Sequence, residues 1–453
     1  MKVRKLTENE IIEILEFSDV NSRKSHYQKI IQEELIRNKK VLLELFTRGG
    51  KGYLTSSFCK LLRTKYSEPI IILVHNSKLK SDWETILKDV DNVHVYIVNS
   101  YTSKSAIESL QTTFKYHREG VICIADEIHR YSNAETQMQF YKALQIIDTR
   151  YLLCLSAMVK KVHKDFLESI GVHFNFFIPL ETGYKLGVVP NFTHYNLAIH
   201  LTKDEQEQYV KIQNEYNQIV EFFDKISPDN ATRVPALLLP SKVPYRKFGG
   251  LTMTAKDWLQ YFSKETGINA GLIINKAVKW RTLVGQRMNL LYKAENKVSI
   301  ALDFLKTTNK KVLVFVKRIE DIKRIMKEDS QAIGFHSKMT DEAKKQAMES
   351  FYNNEKPHLV SCDSLVEGLE VLDCDLILNL GFNSSVSDAI QKTGRLLLID
   401  NSNKLKHSKI VNFYIDNFIH NNIEVKSQDL IWLERNQKQI SFVEWIDSTD
   451  EIQ

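Results

Sequence analysis

Short runs of apolar and β-branched residues recur along the chain, separated by mixed stretches with helical spacing. In the first 160 residues the runs are 41–46, 69–75, 93–98, 120–125 and 150–155. Each is too brief for a free-standing helix and lacks strict alternation, which predicts strands buried on both faces. Between them lie predicted helices, one over about 24–38 with Tyr27, Ile30, Ile31 and Leu35 on one face, others after residues 51 and 77, and one near 135–147. Residues 1–40 read as two short helices. Strands alternating with helices at this interval predict a doubly wound parallel sheet.

The rhythm breaks after residue 180 and resumes near 297, with strands at 311–316, 335–339, 358–362 and 376–381 and helices ending near 306, 325 and 351. In the gap, a Gly- and Pro-marked linker leads to a strand at 193–200 and a long polar helix at 203–226, after which Pro228, Pro235 and Pro240 interrupt regular structure. A chain of 453 residues exceeds one ordinary core. The predicted division is 1–180 and 294–415 as two α/β domains, 181–293 as linker, crossover strand and basic insertion, and 416–453 as a C-terminal helical extension. No internal sequence repeat is visible, although the two halves share the strand–helix period.

Charge and cysteine content narrow the classes. The net charge is only +6, yet residues 232–281 hold nine Lys or Arg against Asp257 and Glu265, a concentration suited to a polyanion. Tyr245, Phe248, Trp258, Tyr261, Phe262 and Trp280 are interleaved with it. They suit either base stacking or the core of an inserted helical subdomain, and core is the reading favoured for the aromatics. The five cysteines, 59, 123, 154, 362 and 374, have no paired ligand spacing, which argues against a metal cluster or disulfide framework and suits a reducing compartment. No apolar run approaches a membrane span and no secretory core follows Met1, so a cytoplasmic location is expected, host cytoplasm for a viral or phage chain.

The chemistry gathers where predicted strands end. Residues 120–125 deliver Asp126 and Glu127, then His129, to the carboxyl end of a strand, where ligands collect in open α/β sheets and carboxylates can hold Mg²⁺ and polarise water. After 41–46 comes Thr47-Arg48-Gly49-Gly50-Lys51-Gly52, whose glycines let backbone N–H groups approach phosphate beside a Lys and a helix N-terminus. Asn76, Lys78 and Lys80 follow one strand, and Ser100 and Thr102 another, in positions suited to gripping a phosphodiester backbone or simply to βα turns.

Together with Ser156, Ala157 and the distant Gln391-Lys392-Thr393-Gly394-Arg395, these stretches resemble superfamily 2 helicases and translocases of the DExH type, in particular phage or viral recombination and repair DNA helicases. The resemblance extends over most of the chain and implies two RecA-like domains in tandem. It implies ATP and Mg²⁺ as cofactors, and hydrolysis coupled to movement on nucleic acid, DNA rather than RNA, with a protein partner in a replication or repair assembly and no membrane. Gln28 would clasp the adenine, as against lying solvated on an amphipathic helix. Residues 47–52, including Thr47, Arg48, Gly49 and Gly50, would cradle phosphates with Lys51 on the β and γ groups. Asp126 would hold Mg²⁺ and Glu127 would activate water, supported by Gln391, with Arg395 on the γ-phosphate. Gly368 and Glu370 stand in the interdomain motif, His129, Ser156 and Ala157 in the coupling positions, and His336, Ser337 and Lys338 among the strand contacts.

Three departures accompany the resemblance. Gly52 replaces the Thr or Ser that ligates Mg²⁺, Arg48 replaces a glycine, and Leu398 stands where a second Arg belongs. They leave a second expectation, a degenerate relative that binds nucleic acid or a partner with little turnover. A third, the motor of a restriction-type nuclease, lacks a carboxylate–Lys nuclease cluster in its support.

Overall fold

The computed structural model describes residues 1–46, 49–98, 120–131, 149–159, 161–189, 192–239, 245–362, 374–381, 408–437 and 443–452. These divide into two compact units, one up to residue 189 and one from Phe192 onward. Each is built on a parallel sheet flanked by helices, the arrangement of tandem RecA-like domains.

The first sheet contains β1 (Lys2–Arg4), β2 (Lys40–Leu45), β3 (Ile70–Val74), β4 (Val93–Ile97), β5 (Val121–Ala125), β6 (Thr149–Ser156) and β7 (Phe174–Ile178), in the order β1-β7-β2-β6-β5-β3-β4. All pairings are parallel. The central strands β3 and β5 are buried along their whole length, which is why they read as continuous apolar runs. Helices α1 (Glu8–Leu15), α2 (Val20–Asn38), α3 (Lys51–Arg63) and α4 (Ser77–Ile86) follow in chain order. Thr7 and Glu10 close a capping box on α1, Asp19 accepts from Ser22 N at the start of α2, and Asn76 caps α4. Residues 1–40, read as helices alone, also supply β1, which extends the sheet beside β7.

The second sheet orders β8 (Phe192–Ile199), β11 (Val312–Val316), β12 (Ala332–Phe335), β13 (His358–Cys362), β14 (Leu376–Asn379), β15 (Ser408–Ile415) and β18 (Val443–Ile446) as β12-β13-β11-β14-β15-β8-β18. The division of 181–293 therefore changes. Residues 180–189 pack in the first unit, where a Cβ on Gly183 would lie 2.9 Å from Phe46 Cζ. The strand expected at 193–200 is β8, which pairs with β15 over its full length and so belongs to the second sheet. Among the described residues the C-terminal stretch holds the α-helix Gln428–Gln437, but also a hairpin of β16 (Phe418–His420) and β17 (Ile423–Val425), and the edge strand β18 before a 3-10 turn at Thr449–Ile452.

The insertion carries a core of its own. Helices Lys203–Ile226, Arg233–Leu238, Ala255–Thr266 and Ala270–Lys293 enclose Phe223, Val234, Leu238, Trp258, Phe262, Ile273 and Leu283, beside a hairpin of β9 (Tyr245–Phe248) and β10 (Leu251–Thr254). Trp258 stacks on Phe262, with ring centroids 5.7 Å apart. These aromatics form a core, as favoured from the sequence, and Tyr209 at the other end of the first helix joins the core of the second sheet.

Polar groups buried in that sheet are paired laterally. Register places Asn379 opposite Asn412 and Asn412 opposite Asn196. Asn379 Nδ2 donates to Asn412 Oδ1 at 3.2 Å, and Asn412 Nδ2 donates to Asn196 Oδ1 at 3.1 Å and His194 Nδ1 at 3.2 Å. Burial pushes the His194 imidazolium down to about 3. Lys297 and Asp429, both buried, form an ion pair that ties helix Glu295–Thr307 to the C-terminal helix, and Asp429 also accepts from Ile415 N at 3.2 Å.

Lys297→Ala strands the Asp429 carboxylate in the interior and is expected to cost about 3–5 kcal/mol in urea unfolding, most of it recovered by pairing Lys297→Met with Asp429→Leu. An unchanged midpoint for the single variant contradicts this. For His194 the unfolded value is about 6.5, so its neutral form contributes stability that is complete above that pH. The contribution is lost as pH falls toward 3, by at most about 1.4 kcal/mol per pH unit. The acid slope of unfolding free energy should flatten in His194→Gln, and an identical slope refutes the assignment.

Candidate nucleotide-binding site

The carboxyl ends of parallel strands share one edge of a sheet, and the first unit concentrates its polar chemistry there. β2 runs into Phe46, and Gly49 and Gly50 lead into α3 at Lys51. Gly50 adopts φ 82° and ψ 31°, a left-handed conformation that an L side chain resists, and no side chain among the described residues caps the helix. The first-turn N–H groups of α3 thus point outward from a helix end, the geometry of an anion site. Both glycines are also sterically required. A Cβ on Gly49 would lie 2.6 Å from Leu45 Cγ, and one on Gly50 would lie 2.5 Å from Gln28 Nε2. Tyr27 Oη donates to Gly49 O at 2.5 Å, so α2 brings Tyr27 and Gln28 against the turn. Gln28 is buried there rather than solvated.

Across β6, β5 delivers the acidic pair. Asp126 is buried; its Oδ2 accepts from Trp83 Nε1 at 2.8 Å and its Oδ1 from Glu127 N at 2.9 Å. Burial, reinforced by the neighbouring Glu127 charge, pushes the Asp126 carboxyl up to about 6, against the opposing pull of Lys51 and the two hydrogen bonds. Glu127 holds φ 49°, a strained backbone conformation for a Glu, and such strain is often found at functional sites. Its Oε1 lies 3.9 Å from Lys51 Nζ. A buried carboxylate beside a second carboxylate on a strained backbone and an open helix N-terminus suits a divalent cation bound with polyphosphate.

A Cβ on Gly52 would sit 3.3 Å from Ile86 Cδ1 of α4, a close contact with the end of a flexible, exposed side chain. Ser56 Oγ donates to Ile86 O at 3.4 Å, and the Thr55 hydroxyl is wholly buried without a hydrogen-bond partner among the described residues.

A chain of contacts continues from the acidic pair. His129 Nδ1 lies 3.1 Å from Glu127 Oε2 and 3.0 Å from Ser156 Oγ. The Ser156 hydroxyl gives its hydrogen to Met158 O, so Nδ1 is the donor in its hydrogen bond to Ser156 Oγ. Ser156 Oγ donates to Met158 O at 3.0 Å and accepts from Met158 N at 3.3 Å, which fixes the loop containing Ala157. Glu44, which the sequence reading passed over inside the β2 run, anchors the same loop. Its Oε1 accepts from Val159 N at 2.7 Å and its Oε2 from Asn175 Nδ2 at 2.6 Å, and Lys164 Nζ lies 2.5 Å from Oε2.

The strand-contact candidates stand at other strand ends. Asn76 spends its side-chain carbonyl on capping α4, accepting from Leu79 N at 2.8 Å, while Lys78 is exposed and Lys80 lies 3.7 Å from Glu84. In the second unit His336, Ser337 and Lys338 form the turn after β12, with Ser337 and Lys338 exposed. In the insertion several cations are already engaged. Arg246 binds Ala236 O and Leu239 O, Lys279 pairs with Glu215 at 2.9 Å, and Arg233 and Lys276 lie over Phe248 and Phe222. Lys256, Lys264 and Arg281 are exposed. Thr47, Arg48, Ser100, Thr102, Gly368, Glu370, Gln391, Arg395 and Leu398 lie outside the described residues.

Residues 296–397 match the helicase conserved C-terminal domain, a span that includes Gly368, Glu370, Gln391 and Arg395. The chain is 23% identical over 284 residues to the DEAD-box ATP-dependent RNA helicase 35B of Oryza sativa subsp. japonica, covering 61% of this chain and 42% of that protein. It therefore spans less than half the length of this curated relative. Among solved structures it is similar to the Pyrococcus furiosus Hef helicase domain, with TM-score 0.50, 13% identity and coverage of 90% of this chain and 97% of that one. It is also similar to S. cerevisiae Dbp5 bound to RNA and ADP BeF3, with TM-score 0.51, 11% identity and coverage of 97% and 96%. The matching span thus resembles a helicase C-terminal domain. The two solved structures share the fold, and no helix among the described residues is long and apolar enough to cross a membrane.

Gly50→Ala meets both the left-handed backbone and the Gln28 amide. It is expected to cost about 1–2 kcal/mol in thermal unfolding and to weaken triphosphate binding at least about tenfold. Adding Gln28→Ala removes the collision but not the backbone strain. Wild-type affinity in Gly50→Ala, read by calorimetric titration, contradicts the proposed turn.

Proposed function

We propose that the chain is an ATP-driven nucleic-acid helicase or translocase. The observation that carries this reading is the approach of Lys51 Nζ to Glu127 Oε1, 3.9 Å apart, beside the buried Asp126. A cation on a glycine-marked turn stands beside the acidic pair.

Each group then has a role. Gln28 holds the adenine side of the turn. Backbone N–H groups near Gly49 to Gly52 and the Lys51 ammonium bind the β and γ phosphates. Asp126 would hold a Mg²⁺ ion, which would supply charge neutralisation on the phosphate oxygens. Glu127 orients the attacking water and takes its proton as oxygen bonds to the γ-phosphorus and the bond to the β–γ bridging oxygen breaks, with ADP leaving. Gln391 supports that water and Arg395 binds the γ-phosphate, assignments that rest on the resemblance. His129, Ser156 and Ala157 couple this chemistry to movement. Asn76, Lys78, Lys80, Ser100, Thr102, His336, Ser337 and Lys338 grip the sugar-phosphate backbone. DNA is the strand that the resemblance to phage recombination and repair helicases favours, and the curated relative named above is an RNA helicase, so both belong in the assay.

Gly52, which offers no hydroxyl to a metal ion, supports a second reading, a relative that binds nucleic acid with little turnover. Steady-state ATPase assays with single-stranded DNA, branched DNA and RNA separate the two. The helicase reading predicts hydrolysis stimulated by one of these, lowered by about 10² or more in Lys51→Ala and in Glu127→Gln, with Glu127→Gln still binding ATP. Salt-sensitive binding of nucleic acid without hydrolysis supports the second reading. A hydrolysis rate indifferent to nucleic acid and to Lys51→Ala eliminates the first.

A further inference from the structure

We propose that Trp83 is a positioning residue through which α4 transmits strand engagement to the Asp126 carboxylate. The inference rests on the reading of the site given above and concerns a residue that this reading leaves without a role. Trp83 is buried on a helix whose other residues are largely polar, and its indole N–H donates to Asp126 Oδ2 at 2.8 Å. Because Oδ1 accepts from Glu127 N, these two donors set the plane of the carboxylate. Remove the indole donor and one oxygen of a buried carboxylate loses its partner, while the other still hangs from a strained residue.

The far end of the same helix faces different chemistry. α4 begins at Ser77, capped by Asn76, and Lys78 and Lys80 lie in its first turn. From Ser77 to Trp83 is about 9 Å of helix at 1.5 Å per residue, a rod that carries displacement from one end to the other. Its last turn also meets the phosphate-loop helix, through Ile86 against Gly52 and the Ser56 hydroxyl on Ile86 O. A shift of α4 on binding a strand therefore reaches both the metal-holding carboxylate and the first turn of α3.

The test is Trp83→Phe in the full chain, which keeps an aromatic ring and deletes the N–H. Three quantities are read beside wild type: the Mg²⁺ concentration for half-maximal binding of a fluorescent ATP analogue, the ratio of nucleic-acid-stimulated to basal hydrolysis, and strand affinity without nucleotide. The proposal expects the Mg²⁺ requirement to rise about tenfold and the stimulation ratio to fall about tenfold, with strand affinity unchanged. Wild-type values for both the Mg²⁺ requirement and the ratio overturn it. A second measurement reads wild type itself and uses the variant only for assignment. The chain has five tryptophans, and the Trp83 indole N–H signal in a ¹⁵N spectrum, assigned by its loss in Trp83→Phe, should shift when single-stranded nucleic acid is added and again with Mg²⁺ and ADP. A signal unmoved by the strand overturns the proposal. If wild type proves not to hydrolyse ATP, the functional reading falls, and the indole response alone decides this inference.

Discussion

A carboxylate sunk at the tip of a central strand is the constraint on which the first unit depends. Asp126 sits where β5 leaves the sheet, desolvated and close to a second acid, and burial works against its ionised form. The fold offsets that cost with two aimed donors, the Trp83 indole and the Glu127 N–H, and with the Lys51 charge nearby. Parallel topology makes the arrangement possible, because β2, β3, β5 and β6 all end on the same edge and bring the glycine turn, α4, the acid pair and Ser156 together.

Buried polar groups serve as fixed connections in both units. In the first, Glu44 joins the end of β2 to the loop after β6 and to Asn175 of β7, so the strand that leads into the glycine turn and the Ser156 loop are held by one side chain. In the second, the row Asn379, Asn412 and Asn196 crosses three strands through amide hydrogen bonds, and Gln437 closes it by donating to Asn196 Oδ1 at 2.7 Å. Polar groups so placed are costly when unpaired, so they fix register more firmly than apolar neighbours of the same size.

Most strands could be read from the letters because burial on both faces leaves an unbroken apolar run, as in β3 and β5. β1 could not, since Lys2-Val3-Arg4 is short and mostly charged and is a strand only because β7 lies beside it. Nor does a strand's sequence tell which sheet it will join: β8 was legible as a crossover strand, but not as a member of the second sheet. The glycine turn and the acid pair were visible because their chemistry demands specific residue types at a strand end. Trp83 and Glu44 were not, because a lone Trp on a polar helix looks like a packing anchor and a lone Glu in an apolar run looks like an interruption. Their partners lie 43 and 115 residues away. The basic insertion was half legible: its charge was plain, but only contacts reveal that Arg246 and Lys279 are already committed.

The central claim is that one triphosphate site is built from the Gly50 turn, Lys51 and the Asp126–Glu127 pair. The most direct measurement is a crystal structure grown with Mg²⁺ and a non-hydrolysable ATP analogue. The account predicts phosphate density over the first turn of α3, the terminal phosphate in contact with Lys51 Nζ, and the ion joined to Asp126 through water. A nucleotide bound elsewhere, with Lys51 still directed at Glu127, contradicts it.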